Sequence, residues 1–288
     1  MHSITDIEVE ALELRAEDIR ESIISMLLEA GSGHTAGPLG MADIFTCLYF
    51  RLVNHNPKNP LWTHRDRVIL SNGHIVPVMY ATLAHAGYFP VSELKTLRRF
   101  GSRLQGHPHR ESLPGLETTS GPLGCGLSQA LGMAFVDRLE EHKPERTFYV
   151  LMGDGEMNEG QVWESLLILG REKFRNIIVI IDRNNIQIDG FTETVLPLEP
   201  LADKLRSFNL NVLEMDGHNM REICATVGRA KSTFETSTVI IAHTIPGKGV
   251  KEFEADFKWH GKAPNEDQAK MALKELRSFR GKITHGAD

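Results

Sequence analysis

Short apolar runs alternate with longer amphipathic segments along this chain, and the alternation limits its possible folds more than any other feature. The apolar runs are residues 67–70, 147–152, 177–182, 211–215 and 237–243. The predicted helices are residues 6–30, 40–53, 75–87, 92–100, 124–142, 159–172, 200–208, 219–234 and 265–280. Apolar strands that alternate with helices form a parallel sheet with helices on both faces. The pattern therefore predicts an α/β fold, with residues 1–288 as a single domain.

Charge and cysteine content argue against several classes of function. The net charge of −6 gives no electrostatic support for a nucleic-acid partner. No apolar run is long enough to span a bilayer, and the acidic start "MHSITDIEVE" lacks the layout of a signal peptide. Cys47, Cys125 and Cys224 lie far apart in the sequence, as in a reduced protein with buried thiols. We expect a cytoplasmic protein that uses neither a membrane nor nucleic acid.

One long segment, residues 101–123, is predicted to have no regular secondary structure. It is rich in Gly, Pro, Ser and His, and it contains "GHPH" and the start of "TTSGPLGCG". Loops of this length inside a compact domain are usually functional or disordered. Its two motifs favour a functional loop.

Polar residues stand at the ends of two successive predicted strands. Asp154 lies between two glycines after the strand 147–152, and Asn184 follows the strand 177–182, about 30 residues later. Gly-Asp-Gly also makes ordinary turns, but ligands bind at the carboxyl ends of parallel strands, where both residues are expected. A carboxylate oxygen, an amide oxygen and a backbone carbonyl suit Mg²⁺ or Ca²⁺, with phosphate and water completing the shell. Without Cys or His, the pair does not suggest zinc.

This spacing resembles the thiamine diphosphate motif, which begins with GDG and ends with NN. Six longer stretches then resemble, in order, the N-terminal half of transketolase, over nearly the whole chain. They are "SGHTAGPLG" (32–40), "SNGH" (71–74), "GHP" (106–108), "TTSGPLGCGLSQALGMA" (118–134), "GDGEMNEGQVWE" (153–164) and "HTIPGKGV" (243–250). The resemblance implies the diphosphate-binding domain of that family.

The resemblance also implies roles for individual residues. Asp154 and Asn184 match the metal ligands, and Ile186 matches the ligand that binds through its backbone carbonyl. Thiamine diphosphate and Mg²⁺ (or Ca²⁺) are the implied cofactors. The remaining cofactor contacts are the backbone of Gly155 and the side chain of His74 at the diphosphate, and Gly121 and Leu123 beside the pyrimidine.

Four further positions match residues near the reacting groups. His34, His107 and His260 match the histidines that line the reaction channel, and Glu159 matches a glutamate that touches the activating glutamate of the partner domain. Imidazoles suit this role because they donate or accept protons near neutral pH. The family usually has Gln where this chain has Cys125, so the role of that side chain stays open.

The implied function is that of the N-terminal subunit of a split transketolase. Such a subunit transfers a two-carbon ketol unit from a ketose, or ketose phosphate, to an aldose or aldose phosphate. No segment before Asp288 is assigned to the pyrimidine pocket, so we expect an α2β2 heterotetramer with a separately encoded C-terminal subunit. The alternatives are the α subunit of a 2-oxo acid dehydrogenase, deoxyxylulose phosphate synthase and a non-catalytic regulatory subunit.

Overall fold

A parallel sheet forms the centre of the molecule. The computed structural model describes residues 4–140 and 146–285. The strands are β1 (Arg67–Leu70), β2 (Phe148–Gly153), β3 (Ile177–Arg183), β4 (Ile186–Gln187), β5 (Gly190–Phe191), β6 (Asn211–Asp216) and β7 (Thr238–His243). Five of them form the main sheet in the order β1-β2-β3-β7-β6, with every neighbouring pair parallel. The five predicted strands are confirmed, and the small antiparallel β4–β5 hairpin is an addition.

Helices pack on both faces of this sheet. They are α1 (Asp6–Ala30), α2 (Ala36–Gly40), α3 (Ala42–Cys47), α4 (Val76–His85), α5 (Cys125–Leu139), α6 (Gly160–Glu172), α7 (Thr192–Val195), α8 (Leu201–Ser207), α9 (Met220–Lys231) and α10 (Glu266–His285). On β3, Ile178 and Ile180 belong to the core beneath α1, α3, α4, α9 and α10. Val179 and Ile181 belong to the opposite core beneath α5, α6 and α8. The strand is buried on both sides, which explains its unbroken apolar sequence.

The ends of α1 show how local sequence sets its bounds. The Thr5 side chain accepts a hydrogen bond from the Glu8 backbone N–H, and Glu8 in return accepts one from the Thr5 backbone N–H. This capping box satisfies N–H groups that have no partner within the helix. Gly31 ends the helix in the left-handed region, with φ of 62°. The predicted range 6–30 is confirmed.

Five predicted helices differ from the observed ones by three residues or more at an end. The helix expected at 219–234 ends at Lys231, and the helix expected at 265–280 continues to His285. The single helix expected at 40–53 is instead α2, α3 and a π-helical turn at Leu48–Leu52. The helix expected at 92–100 is a 3-10 segment at Val91–Thr96, and Arg98 follows it with φ of 57°. The helix expected at 124–142 ends at Leu139, and part of that range lies outside the described residues.

Contacts outside the helices account for two of these differences. At Gly40, the last residue of α2, the Ile245 carbonyl oxygen would lie 2.9 Å from an added Cβ, so a loop distant in sequence crosses there. The Arg98 backbone N–H donates to the carbonyl of Leu104, six residues later and 2.9 Å away, rather than to a helical partner. No helix among the described residues is long and apolar enough to cross a membrane.

Candidate active site

The polar residues predicted to form a site meet at the carboxyl ends of β2 and β3. These two strands are neighbours, and the Asp154 backbone N–H donates to the Asp182 carbonyl, 3.1 Å away. A cavity of about 280 Å³ opens there, near the lower end of volumes typical of small-molecule sites. Every site residue predicted from the sequence lines it: Asp154, Asn184, Ile186, Gly155, His74, Gly121, Leu123, Glu159, His34, His107 and His260.

Asp154 is almost fully buried and is held by three donors. Its Oδ1 accepts the Gly155 N–H at 2.8 Å, and its Oδ2 accepts the Asn185 N–H at 2.7 Å. The Arg183 guanidinium donates to Oδ2 at 3.0 Å. Burial raises the pKa of Asp154 to about 6 against the opposing effect of these hydrogen bonds. A bound cation would favour the ionised form further.

Asn184 is oriented by its own short network. Its Oδ1 accepts the Ile186 N–H at 3.0 Å, and its Nδ2 donates to Asp182 Oδ2 at 2.8 Å. This assignment of the amide leaves the oxygen with a second lone pair. No group of three His, Cys, Asp or Glu side chains suited to a metal ion occurs among the described residues. The oxygens of Asp154, Asn184 and the Ile186 carbonyl are of the type that hard cations bind, and these three residues could hold one together with phosphate and water.

Several residues that line this cavity carry a polar atom without a partner. Within residues 4–140 and 146–285, the buried atoms without a hydrogen bond include Asn72 Oδ1, Asn158 Oδ1, Gln187 Oε1 and His34 Nδ1. All four residues line the cavity. An unsatisfied buried polar atom is costly, so a bound group within reach of these atoms would be stabilised. Three of the four are amide oxygens, which accept hydrogen bonds, so they favour a group that brings donors, such as water on a cation.

Four histidines gather on one side of the cavity. The rings of His34, His74 and His260 have centroids 4.9, 5.4 and 5.0 Å apart, and His107 lies exposed at the cavity's edge. Burial is the main cause that lowers the pKa of His34 to about 4 and the pKa of His74 well below its usual value. Burial also lowers the pKa of His260 and, together with Arg98, that of His107. All four imidazoles are therefore neutral near pH 7.

Gly121, Leu123 and Glu159 also line the cavity. The Gln161 side chain donates to the Leu123 carbonyl at 2.6 Å and fixes this loop. Glu159 is exposed at the start of α6. The half-buried Cys125 thiol donates weakly to Gln161 Oε1, 3.8 Å away.

Sequence reasoning missed three buried charges around the cavity. Glu156 and Asp182 line it, and Arg183 joins Asp154 to Thr192, Glu193 and Glu199. Burial raises the pKa of Asp182 to about 7. The available signal was position, because Asp182 and Arg183 end an otherwise apolar strand and Glu156 directly follows the glycine turn.

Known proteins are similar to this chain in both sequence and fold. The family profile described as "Transketolase, thiamine diphosphate binding domain" matches residues 13–281. A 6-deoxy-6-sulfo-D-fructose transketolase subunit from Clostridium sp. (strain MSTE9) is 40% identical over 92% of this chain and 96% of its own length. An apulose-4-phosphate transketolase subunit from Phocaeicola vulgatus is 39% identical over 93% of this chain and 95% of its own length.

Longer transketolases match as well. The transketolase of Leishmania mexicana superposes with a TM-score of 0.86 at 29% identity, over 98% of this chain and 45% of that one. The transketolase of Campylobacter jejuni gives 0.86 at 31% identity, over 94% and 45%. This chain thus spans just under half of those solved chains but nearly all of the two subunits. The chain belongs to the transketolase family, as a subunit that carries the thiamine diphosphate-binding domain.

Proposed function

We propose that this chain forms the cofactor-binding half of a thiamine diphosphate- and Mg²⁺-dependent (or Ca²⁺-dependent) transketolase. Its reaction moves a two-carbon ketol unit from a ketose to an aldose. The observation that carries the proposal is the cavity at the ends of β2 and β3. There an all-oxygen ligand set and four neutral imidazoles meet four polar atoms that have no partner within the described chain.

The chain's own residues divide into a group that would hold the cofactor and a group that would handle protons. Asp154, Asn184 and the Ile186 carbonyl would hold the cation, and Gly155 and His74 would hold the diphosphate beside it. A Cβ at residue 155 would lie 3.1 Å from Gln187 Cγ, closer than an ordinary contact, so a larger residue would require Gln187 to shift. The bound cofactor supplies the carbon nucleophile and electron sink, and the protein supplies position and charge.

His34, His107 and His260 form the proton-handling group in this proposal. Hydroxyl protons of the sugar must leave and return as a carbon–carbon bond breaks and forms. Neutral imidazoles can accept such protons, and all three histidines line the cavity. His74 packs against both His34 and His260, which fixes the orientation of these rings.

A separate C-terminal transketolase subunit is the proposed partner, in an α2β2 heterotetramer. Glu159 supports this arrangement because it is both exposed and at the rim of the cavity. A partner bound there would contact the cofactor's pyrimidine side near Gly121 and Leu123. We also propose the cytoplasm as the location, since the cysteines are free thiols and a reducing compartment preserves them.

The donor sugar is proposed only by chemical class. The two subunit relatives are named for a sulfonated ketose and a ketose phosphate. We therefore propose an anionic ketose as the donor. The family match favours this reaction over that of a 2-oxo acid dehydrogenase α subunit.

A ketol-transfer assay tests the proposal. The purified chain, thiamine diphosphate and Mg²⁺ are combined with sulfonated and phosphorylated ketoses and several aldehydes, before and after the partner subunit is added. We expect a product two carbons longer than the acceptor only in the complete mixture. Full turnover by this chain alone would overturn the two-subunit part of the proposal. Decarboxylation of a 2-oxo acid without ketol transfer would overturn the reaction class.

A further inference from the structure

Glu156 is a buried carboxylate that lines the cavity and has no part in the proposed chemistry. It belongs to the 3-10 turn Gly155–Asn158, directly after the Gly-Asp-Gly segment, and only 2% of it is exposed. A buried charge needs compensating partners, so the partners of this carboxylate indicate its role.

Three segments of the chain bind this one carboxylate. Oε1 accepts the Gly124 N–H at 2.6 Å and a hydrogen bond from the Ser71 hydroxyl, and Oε2 accepts the Gly153 N–H at 3.1 Å. Ser71 Oγ in turn accepts the Gly126 N–H at 3.0 Å. The end of β1, the start of α5 and the end of β2 are thus tied to the same two oxygens.

The charge is compensated mainly by backbone N–H groups. Gly124 is the N-cap of α5, and Gly126 lies in its first turn, so their N–H groups lack partners within the helix. A helix of this length also presents positive potential at this end. The Glu156 carboxylate, which comes from another part of the chain, therefore lies where the start of α5 favours a negative charge.

Two segments that line the cavity are joined to the residues that Glu156 holds. Gly121 and Leu123 line the cavity just before Gly124, and Gly153 to Gly155 line it after β2. We call them the pyrimidine wall and the diphosphate wall, after the cofactor groups that the proposed function assigns to them. Packing leaves little slack between the start of α5 and the end of β1, because a Cβ at residue 126 would lie 2.4 Å from Ser71 Cβ. A change at the carboxylate would move both walls relative to each other.

We propose that Glu156 is a positioning residue that sets the spacing between the diphosphate wall and the pyrimidine wall of the cofactor site. The inference rests on the proposed function, since it assumes that thiamine diphosphate spans both walls. Glu156 itself does not touch the reacting atoms. It acts through Gly124, Gly153 and Ser71.

The main test variant is Glu156→Gln, which keeps the size but replaces one acceptor oxygen by an amide donor. That donor would face the N–H of Gly153 or Gly124. Thiamine diphosphate binding with Mg²⁺ is measured by calorimetry in the complex with the partner subunit, and the melting temperature is measured without cofactor. We expect a cofactor affinity at least about 10-fold weaker, the usual scale for groups that orient a ligand's contacts. Glu156→Asp, which restores two acceptors, should recover part of the loss.

Glu117→Gln is the matched control. Glu117 is also a buried carboxylate, but it binds Arg65 away from the cavity. This variant should lower the melting temperature and leave cofactor affinity unchanged. If the two variants lose affinity in equal proportion to their loss of stability, Glu156 is a structural brace and the inference is wrong.

A second variant covers the case in which Glu156→Gln does not fold. Ser71→Ala removes one donor and the link to Gly126 while the carboxylate stays, and we expect a cofactor affinity a few-fold weaker. Unchanged affinity in the folded variants would overturn the inference while the wild-type complex still binds the cofactor. A wild-type complex that binds no thiamine diphosphate would instead overturn the proposed function.

Discussion

Buried polar groups at the two ends of the main-sheet strands have opposite kinds of hydrogen-bonding environment. We call these two sides of the sheet its amino-terminal edge and its carboxyl edge. At the amino-terminal edge, Arg65 donates to Glu117 at 3.1 Å, and Arg146 donates to Asp137 at 2.7 Å. Asp66 there accepts backbone N–H groups of Asn54 and Thr147, each at 2.8 Å. At the carboxyl edge, Asn72, Asn158, Gln187 and His34 each keep a buried atom without a partner among the described residues.

This difference distinguishes polar groups that stabilise the fold from polar groups that could bind a ligand. Charges at the amino-terminal edge satisfy one another within the chain, although one amide oxygen there, on Asn176, lacks a partner among the described residues. Groups at the carboxyl edge are placed by the same fold but keep hydrogen-bonding capacity for something outside the chain. Burial alone therefore does not identify the site. Several residues with unused hydrogen-bonding capacity around one cavity do.

The largest expected effect is at the carboxyl edge. Asp154→Ala should weaken the binding of thiamine diphosphate with Mg²⁺ by at least about 100-fold, because the cation loses its charged ligand. Calorimetric titration of the assembled enzyme measures this. Asp137→Ala at the other edge is the control and should bind normally. Metal-independent binding of wild-type strength by the Asp154 variant would remove the basis for the cation site.

The histidines should affect turnover more than folding. His34→Ala and His107→Ala should each reduce the turnover number by roughly 10², as expected for positioned acid–base groups. Their melting temperatures should change little. His85→Ala, which removes an imidazole bonded to Ser22 at 2.9 Å outside the cavity, is the control and should keep normal turnover. Normal turnover with a large loss of stability in the cavity variants would make these histidines structural.

The amino-terminal edge should show the reverse behaviour. Glu117→Gln leaves the buried Arg65 without its carboxylate, so the free energy of unfolding should fall by about 3 kcal/mol. Cofactor affinity should stay within about 2-fold of wild type, as expected for well-separated sites. Urea unfolding and calorimetry give the two quantities. A larger loss of affinity than of stability would mean that the two edges are coupled.

The low pKa of His34 should appear in the pH dependence of stability. Its folded-state pKa of about 4 lies below the ordinary value of 6.5, so the unfolded chain binds more protons between these pH values. Its contribution is fully present above pH 6.5 and is lost as the pH falls toward 4. As the pH falls from 6.5 toward 4, the free energy of unfolding of the cofactor-free chain should decrease less in His34→Asn than in wild type. If the free energy of unfolding has the same pH dependence in this variant as in wild type, the lowered pKa of His34 is contradicted.

The smallest expected effect is at Cys125. Its thiol makes one weak contact, 3.8 Å from Gln161 Oε1. Cys125→Ala should change the free energy of unfolding by no more than about 0.5 kcal/mol, and cofactor affinity should stay near that of wild type. Thermal melting and calorimetry check both. A large loss of affinity would give this side chain a role that its contacts do not indicate.

Most of the fold followed from local patterns. The five strands of the main sheet have the predicted positions to within about one residue, because they are continuous, largely apolar runs and four of the five have Gly, Asn or Asp directly at one end. The split of the predicted helix 40–53 was not foreseeable, because it depends on a loop about 200 residues away in sequence crossing at Gly40. The β4–β5 hairpin was missed because each of its strands has only two residues.

By itself, the sequence determined the parallel sheet, and it predicted the edge where a ligand would bind and the residues that line the cavity there. Strand periodicity and glycine turns are local properties, and the family motifs lie in continuous stretches. The tertiary structure decided which of these groups meet and which stay unpaired. It placed His34, His74 and His260 within 5.4 Å of one another, paired Asp154 with Arg183 and made Glu156 a link between three segments. Such contacts depend on how strands and loops far apart in sequence pack, which no local pattern specifies.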